Sequence, residues 1–136
     1  MIQEFLNKIK KISKKLSNDE KRELFEREFE KLKNENSFPI INDGEVSFIY
    51  KGEGVKIQIT GDFTSWATRI DLKQLPETDF FYYSTKFPLD ARLDYKFVVD
   101  ERIILDPLNQ NVIGGGFGEN SFLKLKEYKE NPHQIY

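Results

Sequence analysis

The run Leu-Asp-Tyr-Lys-Phe-Val-Val-Asp at residues 93–100 largely alternates apolar and polar side chains and predicts a β-strand with one buried face. In this register Tyr95 and Phe97 face a core, whereas Lys96 between them lies on the surface. The same period of two recurs at residues 46–50, 55–59 and 80–87, and shorter candidate strands occupy residues 102–105 and 120–125. The pattern is therefore typical of a mainly β chain over residues 45–125.

Turn-forming residues separate these runs at short intervals. They are Asp43-Gly44, Gly52-Glu53-Gly54, Pro76, Asp106-Pro107 and the glycine cluster at 114–118. Six or seven short strands with this spacing predict an antiparallel β-sandwich of immunoglobulin-like architecture. The side chains expected to face inward are Val55, Ile57, Ile59, Tyr95, Phe97 and Val99.

Residues 2–32 follow a helical period instead, and they predict a two-helix N-terminal hairpin. Ser17 and Glu20 have the spacing of a capping box that would begin the second helix. The first helix is basic, so it could dock on an anionic membrane or on a partner. The alternative is that it pairs with the acidic second helix and covers one face of the sandwich. We favour the second interpretation, since the apolar stripe has no Trp and an acidic helix follows at once.

The predicted organisation is a helical extension at 1–36, a sandwich at 37–127, and a linker or the start of a further domain at 128–136. Among the 136 residues there is no cysteine, which excludes disulfides and thiolate metal sites. The net charge of -2 provides no field that would attract nucleic acid. Nothing resembles a signal peptide or an apolar segment of membrane-spanning length, so we expect a cytoplasmic protein without a membrane or nucleic-acid partner.

Catalytic motifs are missing from the sequence. There is no Gly-x-Ser-x-Gly elbow, and the one histidine, His133, falls in the predicted linker. Asp100, Glu101 and Asp106 lack calcium-loop spacing and are expected to be solvated turn residues. We therefore expect a non-catalytic chain with no metal and no cofactor.

One tryptophan stands out, because Trp66 ends the polar stretch Gly61-Asp62-Phe63-Thr64-Ser65-Trp66. Tryptophan is usually buried. A tryptophan in a polar loop can instead offer a flat apolar face that suits a sugar ring. Lys96, taken alone, is an ordinary solvated lysine.

Together, residues 61–66, the stretch at 95–100 and Asp106-Pro107 resemble the early-set domains of carbohydrate-binding module family 48. That family includes the glycogen-binding domain of the AMP-activated kinase β subunit, and the likeness covers about residues 45–125. Residues 104–109 and 115–121, with the helical preface, are more similar to the N-terminal domain of enterochelin-esterase-type α/β-hydrolases. The resemblance implies an accessory domain whose catalytic triad lies in a separate C-terminal domain.

The glycogen-binding relatives hold sugar with two tryptophans, a lysine and an asparagine. By resemblance these roles fall on Trp66, Lys96 and Asn120, while the second tryptophan is replaced by Ile103. The usual turn glycine is also replaced, by Glu101. The implied functions are a weak module for α-glucan or another carbohydrate, or a purely structural module. The structural module would pack against a hydrolase domain or form a homodimer.

Overall fold

The computed structural model describes residues 2–13, 16–115 and 118–130. The last six residues of the predicted linker segment, His133 among them, lie outside the described residues, as do Gly116 and Phe117 of the glycine cluster.

Two helices begin the chain, as the sequence predicts. Helix α1 spans Ile2–Ser13 and α2 spans Asn18–Glu35. The predicted capping box is present: the Glu20 backbone N–H donates to Ser17 Oγ at 3.2 Å, and the Ser17 N–H donates to Glu20 Oε1 at 3.4 Å. Lys8 of α1 pairs with Glu28 of α2 at 3.0 Å, so the basic and acidic helices lie side by side. No helix within the described residues has the length and apolar character needed to cross a bilayer.

The rest of the chain is mainly β and forms two antiparallel sheets. Within the described residues the strands are β1 (Ile40–Asn42), β2 (Glu45–Lys51), β3 (Ile57–Gly61), β4 (Ile70–Asp71), β5 (Lys73–Gln74), β6 (Phe80–Lys86), β7 (Arg92–Val99), β8 (Arg102–Ile104), β9 (Val112–Gly115) and β10 (Gly118–Lys124). Sheet A has the order β1-β2-β6-β5, and sheet B has the order β4-β3-β7-β10-β9 with β8 also pairing with β7. There are more strands than the predicted six or seven because several are too short to show alternation.

The two sheets enclose an apolar core rich in aromatic rings. Phe48 of sheet A meets Tyr95 of sheet B at a ring-centroid distance of 4.9 Å, and Tyr50 meets Phe97 at 6.0 Å. Five of the side chains expected to face inward are buried here: Ile57, Ile59, Tyr95, Phe97 and Val99. The immunoglobulin-like sandwich with its helical hairpin is therefore confirmed.

Val55 was expected to face inward, and this prediction is wrong because its side chain is 89% exposed. Its backbone N–H does not join the sheet; it donates to the Asp100 carboxylate, as does the N–H of Lys56. Strand β3 therefore begins only at Ile57. The alternation pattern could not predict this later start, because it carries no information about a side-chain acceptor such as Asp100.

The helices cover the face of sheet A that points away from sheet B. Ile49 and Phe80 belong to this second core, together with Phe5, Phe25 and Phe29 of the helices. The Phe80 ring lies 5.1 Å from Phe5 and 6.1 Å from Phe25. Sheet A is thus packed on both faces, which confirms the prediction that the hairpin covers one face of the sandwich. The helices do not cover the face of sheet B that points away from the core.

A buried polar cluster ties the segment after β8 to sheet B. Asp106 was expected to be solvated, but its side chain is only 3% exposed. The Tyr95 hydroxyl donates to Asp106 Oδ2 at 2.6 Å and accepts from Asn109 Nδ2 at 2.9 Å. Burial raises the pKa of Asp106 to about 6, while the hydrogen bonds from Tyr95 and the Leu108 N–H oppose that rise. The acid is therefore a structural member of the core.

Phe80→Ala should reduce the free energy of unfolding by about 3–5 kcal/mol, because it leaves a cavity between the helices and sheet A. Val55→Ala is the matched control and should change it by less than about 0.5 kcal/mol, since that side chain is in solvent. Urea unfolding followed by circular dichroism measures both. Equal losses in the two variants would contradict the three-layer arrangement.

Asp106 should make stability decrease with rising pH. Its pKa is about 6 in the folded protein and near 4 when unfolded, so the folded state binds the proton more tightly. The contribution of this group is complete below about pH 4 and is lost as pH rises through 6, by up to about 3 kcal/mol. Urea unfolding of Asp106→Asn between pH 4 and pH 7 should lack this decrease relative to the wild type; parallel profiles would contradict it.

Candidate functional site

The outer face of sheet B brings polar side chains from three strands into one row. Because Tyr95 and Phe97 face the core, Lys96 of β7 faces outward. Thr60 of β3 is its cross-strand partner. On the other side of β7, Ser121 of β10 pairs with Tyr95. Because the two strands are antiparallel, the next pair along the register is Asn120 and Lys96. The register of β7 thus places Lys96 between Thr60 and Asn120.

Trp66 reaches this face through an unusual backbone conformation. It follows the 3₁₀ turn Asp62–Thr64, and both Ser65 and Trp66 adopt left-handed backbone angles, with φ of 56° and 57°. Such angles cost roughly 1–2 kcal/mol in a residue other than glycine. The Trp66 side chain remains 41% exposed, so it is not a core residue. Strain of this kind concentrates at functional sites.

The Asp62 carboxylate fixes the orientation of the indole. Trp66 Nε1–H donates to Asp62 Oδ1 at 2.9 Å, and the Asp94 backbone N–H donates to Asp62 Oδ2 at 2.8 Å. This link needs the end of β3 to approach β7 closely: a Cβ added at Gly61 would lie 2.5 Å from the Asp94 carbonyl oxygen. The glycine and aspartate of the motif therefore position the tryptophan.

Asn120 is joined to the same cluster through Asp94. Its Nδ2 donates to Asp94 Oδ2 at 3.4 Å, while Arg92 donates to Asp94 Oδ1 at 2.6 Å. The Asp94 backbone N–H in turn donates a hydrogen bond to the Asp62 carboxylate. A continuous set of hydrogen bonds therefore runs from Trp66 through Asp62 and Asp94 to Asn120.

Trp66, Lys96, Ile103 and Asn120, the four residues singled out by the sequence, line one open cleft of about 560 Å³. Ile103 is 58% exposed, on β8 next to the outward side of β7. Lys96 Nζ has no hydrogen-bond or ion-pair partner among the described residues. The cleft has the size of a small-ligand site, and its described lining combines an aromatic ring, aliphatic side chains and polar donors.

Sequence reasoning missed several residues that build the cleft. Thr60 and Arg69 line it, and the Thr60 hydroxyl donates to the Thr68 carbonyl at 2.9 Å, which holds the segment after Trp66 against β3. Arg69 Nη1 pairs with Glu101 Oε2 at 2.7 Å. The signal for Asp62 was its place four residues before Trp66, whereas nothing in the sequence pointed to Arg69.

Glu101 occupies the turn between β7 and β8 with φ of 71°, a conformation that favours glycine. The hydrogen bond and charge of Arg69 lower the pKa of the Glu101 carboxyl. This carboxylate therefore stays ionised and holds the arginine at one wall of the cleft.

The described lining of the cleft is polar on one part and apolar on another. It contains hydroxyl, amide, ammonium and guanidinium groups, and none of its described residues is a histidine or a carboxylic acid. Within residues 2–13, 16–115 and 118–130 no group of three His, Cys, Asp or Glu side chains is arranged to hold a metal ion.

Asp62→Ala should release the indole of Trp66, because it removes the acceptor for Nε1–H. Trp66 is the single tryptophan, so its fluorescence anisotropy should fall and its emission should shift to longer wavelength. Asp71→Ala is the matched control. It removes a carboxylate of sheet B that accepts a hydrogen bond from Gln58, and it should leave the Trp66 signal unchanged. The same spectrum in both variants would argue against the positioning role of Asp62.

Comparison with solved structures shows the same fold in enterobactin esterases. The enterobactin esterase Fes of Shigella flexneri, solved with 2,3-di-hydroxy-N-benzoyl-glycine, matches with a TM-score of 0.55 and 17% identity over 68% of this chain and 33% of that one. Ferric enterobactin esterase of Salmonella typhimurium matches with a TM-score of 0.56 and 17% identity over 70% of this chain and 37% of that one. The chain therefore spans about a third of these proteins. No curated protein sequence matches it.

A family model described as the glycogen recognition site of AMP-activated protein kinase matches residues 44–126. That segment begins just before β2 and ends just after β10, so it includes the two long strands of sheet A and all of sheet B. It also contains all four side chains of the cleft that the sequence singled out. The chain is a carbohydrate-binding-module-like domain and belongs to this glycogen-recognition family.

Proposed function

We propose that this chain is a non-catalytic carbohydrate-binding module that takes an α-glucan segment in the cleft of sheet B. Trp66 stacks on the face of one glucose ring, and Lys96 and Asn120 donate hydrogen bonds to its hydroxyls. Ile103 contacts the next ring. The observation that supports this proposal most strongly is the convergence of these four side chains on one cleft.

The arrangement of the tryptophan favours such binding. An indole held by Asp62 loses little freedom when a sugar stacks on it, and this lowers the entropic cost of association. Stacking of a nucleic-acid base on an aromatic side chain is worth about 1–3 kcal/mol, and by analogy we take the stacking of a sugar ring on the indole to be of this order. With one aromatic platform and an isoleucine at the second position, we expect weak affinity, one or two decades below that of a two-tryptophan site.

A second candidate function is an accessory domain that packs against a hydrolase domain in a longer esterase. It is supported by the similarity of this chain to about a third of the enterobactin esterases. In that case residues 37–127 form the accessory unit and residues 128–136 lead to the hydrolase domain. For the isolated chain, the corresponding alternative is a homodimer. Both roles are compatible with glycan binding only if the cleft stays open.

Titration with maltoheptaose, followed by Trp66 fluorescence and by calorimetry, tests the proposed site. Trp66→Ala should abolish heat of binding, because it removes the one aromatic ring among the described residues of the cleft. Ile103→Trp should strengthen binding by about tenfold by adding a second platform, and it should leave stability nearly unchanged since Ile103 is exposed.

Lys73→Trp is the matched control for the added ring. Lys73 is exposed on β5 of sheet A, on the other sheet from the cleft, so this variant should bind like the wild type. Absence of any heat with maltoheptaose in both wild type and Ile103→Trp would reject glucan binding and favour the accessory-domain function.

A further inference from the structure

The charged side chains that line the cleft are both cationic, although the chain as a whole carries a net charge of -2. Lys96 projects from the centre of sheet B, and Arg69 lies on the wall formed by the segment after Trp66. The Thr60–Thr68 hydrogen bond holds that wall beside Lys96, because Thr60 is the cross-strand partner of Lys96. Two cationic groups therefore line one small cleft: Lys96, which has no partner among the described residues, and Arg69, whose charge Glu101 partly balances.

The acids around the cleft are already engaged. Asp62 accepts from the indole and from the Asp94 N–H, and Asp94 accepts from Arg92 and Asn120. Glu101 pairs with Arg69 from outside the lining. None of these carboxylates pairs with Lys96, whose ammonium has no partner among the described residues.

From this arrangement we propose that the cleft prefers an anionic carbohydrate, a hexose unit that bears a phosphate or a carboxylate, over a neutral glucan. The inference deepens the proposed function and rests on it, since the sugar ring must still stack on Trp66. Hydrogen bonds between charged partners are stronger than those to neutral hydroxyls. An anionic group between Lys96 and Arg69 would compensate for the stacking that Ile103 cannot provide.

Three oligosaccharide probes test this preference in calorimetry with the full chain at constant ionic strength. They are maltoheptaose, maltoheptaose phosphorylated at a glucose 6-hydroxyl, and an oligoglucuronate; inorganic phosphate serves as the anion without sugar. We expect the phosphorylated or the carboxylated oligosaccharide to bind at least about tenfold more tightly than maltoheptaose. Added salt should weaken that preference.

Lys96→Gln and Arg69→Gln should each reduce the ratio of anionic to neutral affinity by about fivefold or more, because each removes one charged donor and keeps a neutral one. Lys73→Gln is the control, with the same charge change on sheet A, and should keep the wild-type ratio. Circular dichroism of each variant confirms that it is folded.

The outcomes separate the two proposals. Equal affinity for neutral and anionic oligosaccharides, or a preference that persists in both cleft variants, would overturn the anionic preference and leave glucan binding in place. Inorganic phosphate binding as tightly as the phosphorylated oligosaccharide would overturn it too, since the cleft would then recognise an anion without a sugar. If no oligosaccharide binds, the proposed function itself is wrong.

Discussion

Strand β7 is paired along both of its edges, and this pairing constrains the rest of the molecule. It is bonded to β3 on one side and to β10 and β8 on the other. Side chains on a strand alternate between faces, so the position of Tyr95 in the core decides that Lys96 lies in the cleft. A slip of one residue would bury the lysine and expose the aromatic rings. The core and the site are therefore two consequences of one register.

The Tyr95 hydroxyl reinforces that register from inside. Its hydrogen bond to the buried Asp106 connects β7 to the segment between β8 and β9, and the Asp106 N–H in turn donates to Ser121 of β10. A buried polar group without such partners would cost free energy, so each member of this cluster depends on the others. On the outer face Asp62 has a similar role, because one carboxylate links the tryptophan to the β7 backbone.

The inward side chains of β7 and β3 could be predicted from the sequence because period two is a direct consequence of strand geometry. Val55 could not be predicted, because the Asp100 carboxylate that takes its N–H is far along the chain. The burial of Asp106 could not be predicted either, because the alternation pattern shows Tyr95 only as a core residue and not as a hydrogen-bond donor to Asp106. The left-handed backbone of Trp66 also left no local signature, since neither it nor Ser65 is a residue type that favours such angles. For Val55 and Asp106 the missing information was a hydrogen bond between residues far apart in sequence.

The register of β7 and the hydrogen bonds of Asp62 bring Trp66, Lys96 and Asn120 together. The chemical character of the cleft also depends on residues outside the recognised motifs. Ile103 offers an aliphatic surface where a second aromatic platform would give more contact area, whereas Arg69 lines the same cleft and pairs with Glu101. Glu101 takes on left-handed backbone strain that glycine would avoid, so the ion pair is maintained against a local cost. An exposed pair of this kind contributes little to stability. Its main consequence is therefore electrostatic: it fixes a guanidinium in the same cleft as the unpaired ammonium of Lys96, and the proposed preference for an anionic ligand depends on this arrangement.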